Sequence, residues 1–199
     1  MATTSRQEQK ATTRAAILRI ASDEFDLHGY AATSVARVAE NLQMTKGSVY
    51  FHFASKALLA AEVVRVSFDV WDPLVRSVDD HALSGLDAVR RLLVDLAQRY
   101  TDDASLRAAL RLMREESPVR DRLPEALGVW AGVLRRYLDQ AVGAGQLRPG
   151  TDVDALARHL VALFLGLQEI TQRAPTDGSL AEQVEDAWET TLVGLVRTH

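Results

Sequence analysis

Within twelve residues, Thr45, Lys46, Gly47, Ser48, Tyr50, His52 and Lys56 gather two hydroxyls, two ammonium groups, a phenol, an imidazole and a glycine. Lysines neutralise phosphates, while hydroxyls and rings donate to phosphate oxygens. A glycine removes a side chain where backbone must approach a duplex closely. Val49 and Phe53 interrupt the set at the spacing of an inward-facing strip, toward a small core. Ser55 and Lys56 open the following helix, where free amides and the positive dipole end favour an anion. The chemistry these residues suit is recognition of a polyanion.

Bond-making chemistry finds little support elsewhere. The chain has 199 residues and no cysteine, which excludes disulfide staples, thiolate zinc sites and thiol nucleophiles and makes a reducing cytoplasm its natural setting. No His-x-x-x-His or Glu-x-x-His metal spacing and no Gly-x-Ser-x-Gly elbow occurs. Gly143-x-Gly145 follows a helix without a third glycine, and Gly145 to Gly150 leads to Thr151 without a P-loop lysine. Asp79-Asp80, Asp102-Asp103 and Glu115-Glu116 lie beside breaks or helix ends and read as solvated or dipole-related charges. A helical enzyme stays as the remote alternative, and no cofactor or metal is expected.

The net charge of −4 argues weakly against a nucleic-acid partner until it is divided. Residues 1–56 carry seven cationic and five anionic side chains, a balance of +2 that includes all three lysines, so the remainder carries −6. A small module facing an anion and a larger acidic body with another task fit that asymmetry. The opening residues lack the apolar stretch of a signal peptide, and the longest aliphatic run, Leu160 to Leu167, is too short to span a bilayer; no membrane partner is expected.

Apolar residues recur at helical spacing almost throughout, so the predicted fold is all-α with about nine helices. A first helix, about Gln7 to His28, buries Ile17, Ala21 and Phe25, with Gly29 as its C-cap. Thr33 caps a short helix carrying Val35, Val38, Ala39 and Leu42; Thr45 caps a second, Lys46 to about His52; Ser55 caps a longer one reaching toward Trp71. Val64, Val66, Phe68 and Val70 alternate as a strand would, but a lone strand has no partner, which favours the helix. Ser84 to Asp87 resembles a capping box ahead of Leu86, Val89, Leu93, Leu96 and Tyr100. Leu106, Leu110 and Met113 mark the next helix, and Pro124 opens another running to Gly143. Asp152 and Ser179 cap the last two, about 152–172 and 179–197.

Two short helices joined by a tight turn and braced by a longer one describe a helix-turn-helix, whose second helix enters the major groove. The run Ala39-Glu-Asn-Leu-Gln-Met-Thr-Lys-Gly-Ser-Val-Tyr-Phe-His-Phe53, followed by Ala-Ser-Lys56 and Leu58-Leu59, resembles the signature of the TetR family of bacterial repressors. The resemblance implies that Thr45, Lys46, Gly47, Ser48, Tyr50, His52 and Lys56 contact DNA, with Thr33 touching the backbone from the preceding helix. It also implies a helix-turn-helix domain over 1–54 and a helical ligand-binding and dimerisation domain over 55–199, paired as a homodimer through its last two helices. One departure is Gln43, where the turn commonly has glycine; a left-handed backbone there costs on the order of 1 kcal/mol.

Lys46 to Lys56, Leu106-Arg-Ala-Ala-Leu-Arg-Leu-Met113 and Trp130 together are similar to the γ-butyrolactone autoregulator receptors of actinomycetes. That similarity implies repression of a pseudo-palindromic operator, relieved by a small lipophilic effector bound near Trp130. An indole face with one N–H suits a short lactone with an alkyl tail, although an amphipathic helix also places tryptophans in ordinary cores. Ser67 and Phe164 stand where ligand-binding members can carry Gln and Thr, and Leu110, Met113, Leu134, Val161, Leu165 and Gln168 are the further wall residues expected. The alternative within DNA binding is a pseudo-receptor that responds to an antibiotic or another metabolite.

Overall fold

The computed structural model describes residues 2–173, 178–193 and 195. The described residues form ten α-helices: α1 (Ala2–Ala32), α2 (Val35–Asn41), α3 (Lys46–His52), α4 (Lys56–Ser67), α5 (Trp71–Asp80), α6 (Gly85–Asp102), α7 (Ala104–Arg114), α8 (Leu123–Gly143), α9 (Val153–Arg173) and α10 (Leu180–Leu192). Phe68–Val70 and Arg120–Arg122 are short 3-10 turns. The fold is all-α, and the helix beyond the predicted nine is α5. Pro73 occupies the first turn of α5, where a missing N–H leaves no intrahelical bond unmade. The end of the last predicted helix, residues 196–197, lies outside the described residues.

The chain divides into two compact units, one of residues 1–70 and 103–123 and the other of residues 71–102 and 124–199. In the first, α1 buries Ile17, Ala21 and Phe25, and α4 and α7, which bury Leu59, Val63, Leu106 and Leu110, pack on α1 and on each other. α7 also meets the end of α1 through charge. Arg107 pairs with Asp26 at 2.8 Å, Arg111 donates to the Asp26 carbonyl at 2.6 Å, and Glu115 accepts from the Tyr30 amide at 3.0 Å. The helical conformation of α1 breaks at Gly29, whose φ of 72° and ψ of 178° turn the chain toward α2.

Thr33 is not the cap of α2; Ser34 is, its side chain accepting from the Arg37 amide. Thr33 is buried instead, donating its hydroxyl to the Glu24 carbonyl at 2.9 Å. α2 ends in a Schellman turn, with Met44 N–H on the Ala39 carbonyl and Gln43 N–H on the Glu40 carbonyl, each at 2.9 Å. That turn places Gln43 at φ 54°, the left-handed conformation its sequence position implies. Gln43→Gly is therefore expected to stabilise the protein by about 0.5–1 kcal/mol, after the gain in unfolded-chain freedom is subtracted. Urea melts check this, and a loss of stability would contradict strain at that residue.

In the second unit, α10 packs on α6, linked by an Arg90–Glu185 ion pair, and α5 also packs on α6. The first amides of α6 are not met by a Ser84–Asp87 box. Gly85 and Leu86 N–H donate to the Gln140 and Gln146 side chains, at 3.3 and 3.1 Å. Glutamines about sixty residues away supply the cap, a pairing that local spacing does not reveal. Ser179 and Glu182 form the capping box of α10, and Asp152 caps α9.

Candidate nucleic-acid interface and effector site

α3 separates its residues cleanly. Val49 and the following Phe53 are buried, whereas Thr45, Lys46, Gly47 and Tyr50 are exposed and Ser48 and His52 are half-exposed. Thr45 caps the helix by accepting from the Ser48 amide at 3.1 Å, and its hydroxyl also meets that of Ser48 at 2.8 Å. Lys46 stands over the Tyr50 ring, 5.7 Å from its centre. Burial first, then the charges of Lys10 and Arg14, hold the His52 imidazole below its ordinary pKa. It therefore presents a neutral ring at pH 7. Phe51, 73% exposed, lies beneath the Lys10 ammonium at 5.2 Å.

Two residues expected at phosphates stand elsewhere in the geometry. Thr33 is buried, as described above. The Lys56 ammonium donates to the carbonyls of Tyr30 at 2.7 Å, Thr33 at 3.0 Å and Ala31 at 3.5 Å, and lies 4.3 Å from the Tyr30 ring centre. These are carbonyls left without partners where α1 stops, so the lysine ties the start of α4 to the approach to α2. Lys56→Met is expected to cost about 1.5–3 kcal/mol of stability, because charged hydrogen bonds are lost and the carbonyls are left poorly met. Denaturant unfolding tests it; an unchanged midpoint would return Lys56 to a purely external role.

The expected effector residues are divided between the two units. In the second unit, Trp130 is buried on α8 and meets two rings edge-on, Trp71 of α5 at 5.5 Å and Phe164 of α9 at 5.9 Å. Phe164 also meets Tyr100 of α6 at 6.3 Å. Leu134 lies one turn beyond Trp130 on α8, and Gln168 one turn beyond Phe164 on α9; both are buried. Val161 and Leu165 instead line an open groove of about 580 Å³ between α8 and α9, with Gly128, Ala131 and Gly132 opposite. Ser67, Leu110 and Met113 belong to the first unit, where the Ser67 hydroxyl donates to the Val64 carbonyl of its own helix at 2.7 Å. Trp71 reads in the sequence only as the far end of the fourth helix, because a tryptophan two residues before a proline carries no signal of a site.

Among the described residues no helix is long and apolar enough to cross a membrane, and no cluster of His, Asp and Glu could hold a metal ion. One unit carries a helix-turn-helix that exposes Thr45, Lys46 and Tyr50, and the other is all-helical with a buried aromatic cluster, the parts of a DNA reader and a helical body. Residues 17–63 match the bacterial regulatory proteins of the tetR family and residues 83–197 the tetracyclin repressor-like C-terminal domain, and the chain belongs to the TetR family. It is 25% identical over 189 residues to the A-factor receptor protein of Streptomyces griseus; the match covers 92% of this chain and 64% of that protein, less than two thirds of its length. A solved γ-butyrolactone receptor described as ArpA-like is 29% identical, with a TM-score of 0.81 over 96% of this chain and 91% of that one. CprB of Streptomyces coelicolor, solved with its biological operator sequence, is 30% identical, with a TM-score of 0.81 over 97% of this chain and 91% of that one. These relatives are regulators, not enzymes.

Proposed function

We propose that this protein is a transcriptional repressor that holds a pseudo-palindromic operator as a homodimer and releases it on binding a small lipophilic, γ-butyrolactone-like molecule. Thr45, Lys46, Gly47, Ser48, Tyr50 and His52 meet the DNA, with Lys46 neutralising phosphate and His52 donating as a neutral ring. Thr33 and Lys56 serve the same interface from behind, by fixing the corner that aims α3. One recognition helix makes few base contacts, and two about 34–36 Å apart read two half-sites. Pairing through α9 and α10 supplies the second, a reading supported by the exposed Ile170 on α9.

The observation that carries the reading is Gly47. It lies in the first turn of α3, and a Cβ added there would meet nothing nearer than the Thr45 hydroxyl at 3.8 Å. The fold does not require glycine at this place and gives up about 0.5–1 kcal/mol of helix stability to keep it. A close approach to a duplex explains the empty position. Gly47→Ala is expected to stabilise the protein by about that amount while weakening operator binding roughly tenfold or more. Gel shifts on DNA upstream of the protein's own gene, with and without lactones, test both halves. No shift at low salt contradicts the repressor reading, and an unweakened Gly47→Ala contradicts the assigned interface.

A second reading is a pseudo-receptor that responds to an antibiotic or another metabolite. It is favoured by the Ser67 hydroxyl, already engaged within its own helix, and by the apolar Phe164, which leave two lactone-facing positions of the resemblance without a free hydrogen-bonding group. A shift insensitive to every lactone selects it.

A further inference from the structure

Two buried polar side chains in the second unit have no protein partner. Gln168 is 0% exposed, and neither its Oε1 nor its Nε2 has a hydrogen-bond partner; Trp71 is 5% exposed, and its indole Nε1 also has none. Buried polar groups are almost always paired, and an unpaired one is strongly disfavoured. Three such atoms belong to residues placed around the same rings.

α9 sets Phe164, Gln168 and Gln172 one turn apart along one face. Both neighbours of Gln168 on that strip reach Tyr100: Phe164 through its ring, and Gln172 through a hydrogen bond from Nε2 to the phenol oxygen at 2.5 Å. Gln168 therefore points toward the same side of the helix. Trp71 closes the group from α5, edge-on to Trp130, which in turn meets Phe164. Trp71, Trp130, Phe164, Tyr100 and Gln168 carry no charge.

We propose that Gln168 and Trp71 are the polar anchors of the effector, and that the effector is a neutral molecule whose polar end carries a hydroxyl donor together with at least two acceptor oxygens. The inventory follows from the groups themselves. The Trp71 N–H and the Gln168 amide N–H each need an acceptor, and the Gln168 carbonyl needs a donor. A carboxylate brings acceptors without a donor and buries a charge among uncharged groups. A plain alkyl lactone leaves the Gln168 carbonyl unmet. A hydroxylated lactone, ester or ketone meets all three, with its alkyl part against the rings.

This inference rests on the second unit being the effector-binding unit, and the test separates the two. Binding to the full-length protein is followed by calorimetry with two probes, a γ-butyrolactone bearing a hydroxylated alkyl chain and the same molecule without the hydroxyl. The wild type is expected to prefer the hydroxylated probe at least tenfold. Gln168→Met, close in shape, is expected to bring that preference to about one, whereas Trp71→Phe weakens both probes by a similar factor of three to ten. Without any probe, Gln168→Met is expected to melt about 2–4 °C higher, because it removes two unmet buried atoms. Equal binding of the two probes by the wild type, or a preference retained in Gln168→Met, overturns the anchors alone. A lower melting temperature in Gln168→Met shows the amide to be satisfied within the fold and also overturns them. Failure of the wild type to bind either probe overturns the anchors together with the lactone-receptor reading beneath them.

Discussion

Gly29→Ala is expected to destabilise the first unit by about 3 kcal/mol or more, a large fraction of the stability of an ordinary domain. Two effects add. With φ 72° and ψ 178°, residue 29 occupies a region open essentially to glycine, and forcing a side chain there costs on the order of 1–3 kcal/mol. A Cβ would also stand against the Glu115 carboxylate, 2.7 Å from Oε1, and 2.9 Å from an Arg111 guanidinium nitrogen. Both side chains can swing aside, but only by giving up the bonds to the Tyr30 amide and the Asp26 carbonyl that join α7 to the end of α1. All three tryptophans lie in the second unit, so a loss of helical circular dichroism ahead of any change in tryptophan fluorescence is the expected record. Coincident, unshifted transitions would contradict it. Glu115→Ala added to Gly29→Ala should restore little, since the backbone strain remains.

The second large effect concerns Trp130. The ring is buried between Trp71 and Phe164, and truncation to alanine at a fully packed position of this kind costs about 3–5 kcal/mol. If the indole stood on the wall of a preformed cavity, fewer contacts would be lost and the cost would fall toward 1 kcal/mol. The edge-on rings on either side predict the larger figure, with Trp130→Phe recovering more than half of it. Urea unfolding of the three proteins decides the matter. A value for Trp130→Ala below about 1 kcal/mol would show that the ring contributes little to the core and serves an effector alone.

Much of this arrangement is written locally. Thr45, Ser55 and Ser179 precede apolar periodicity at cap spacing and do cap α3, α4 and α10. Gln43 in place of a turn glycine announced a left-handed residue, because a helix pair this short must reverse within one residue. What the sequence withheld depends on partners far along the chain. Lys56 after a serine cap reads as a phosphate ligand, and nothing local announces its bonds to carbonyls at the end of α1, 23–26 residues earlier. Glu115 reads as a solvated or dipole-related charge, yet it accepts from the Tyr30 amide 85 residues away, and Arg107 and Arg111 reach Asp26, 81–85 residues away. Thr33 is the expected cap of α2, but the helix starts one residue later and Ser34 caps it, a shift that hydroxyl spacing does not reveal. The effector residues show the same limit. The resemblance points to Phe164, Gln168, Val161 and Leu165 alike, and does not separate the first two from Val161 and Leu165, which turn to the open groove.

The central claim is that two copies of α3 read two half-sites at a fixed separation. The most direct test is the affinity of the full-length protein for its own operator, compared with the same operator carrying five extra base pairs between the half-sites. Half a helical turn moves one half-site to the opposite face of the duplex, out of reach of a paired reader. The predicted result is a loss of roughly a hundredfold or more, to the level of a single half-site. Equal affinity for the two DNAs would contradict the account.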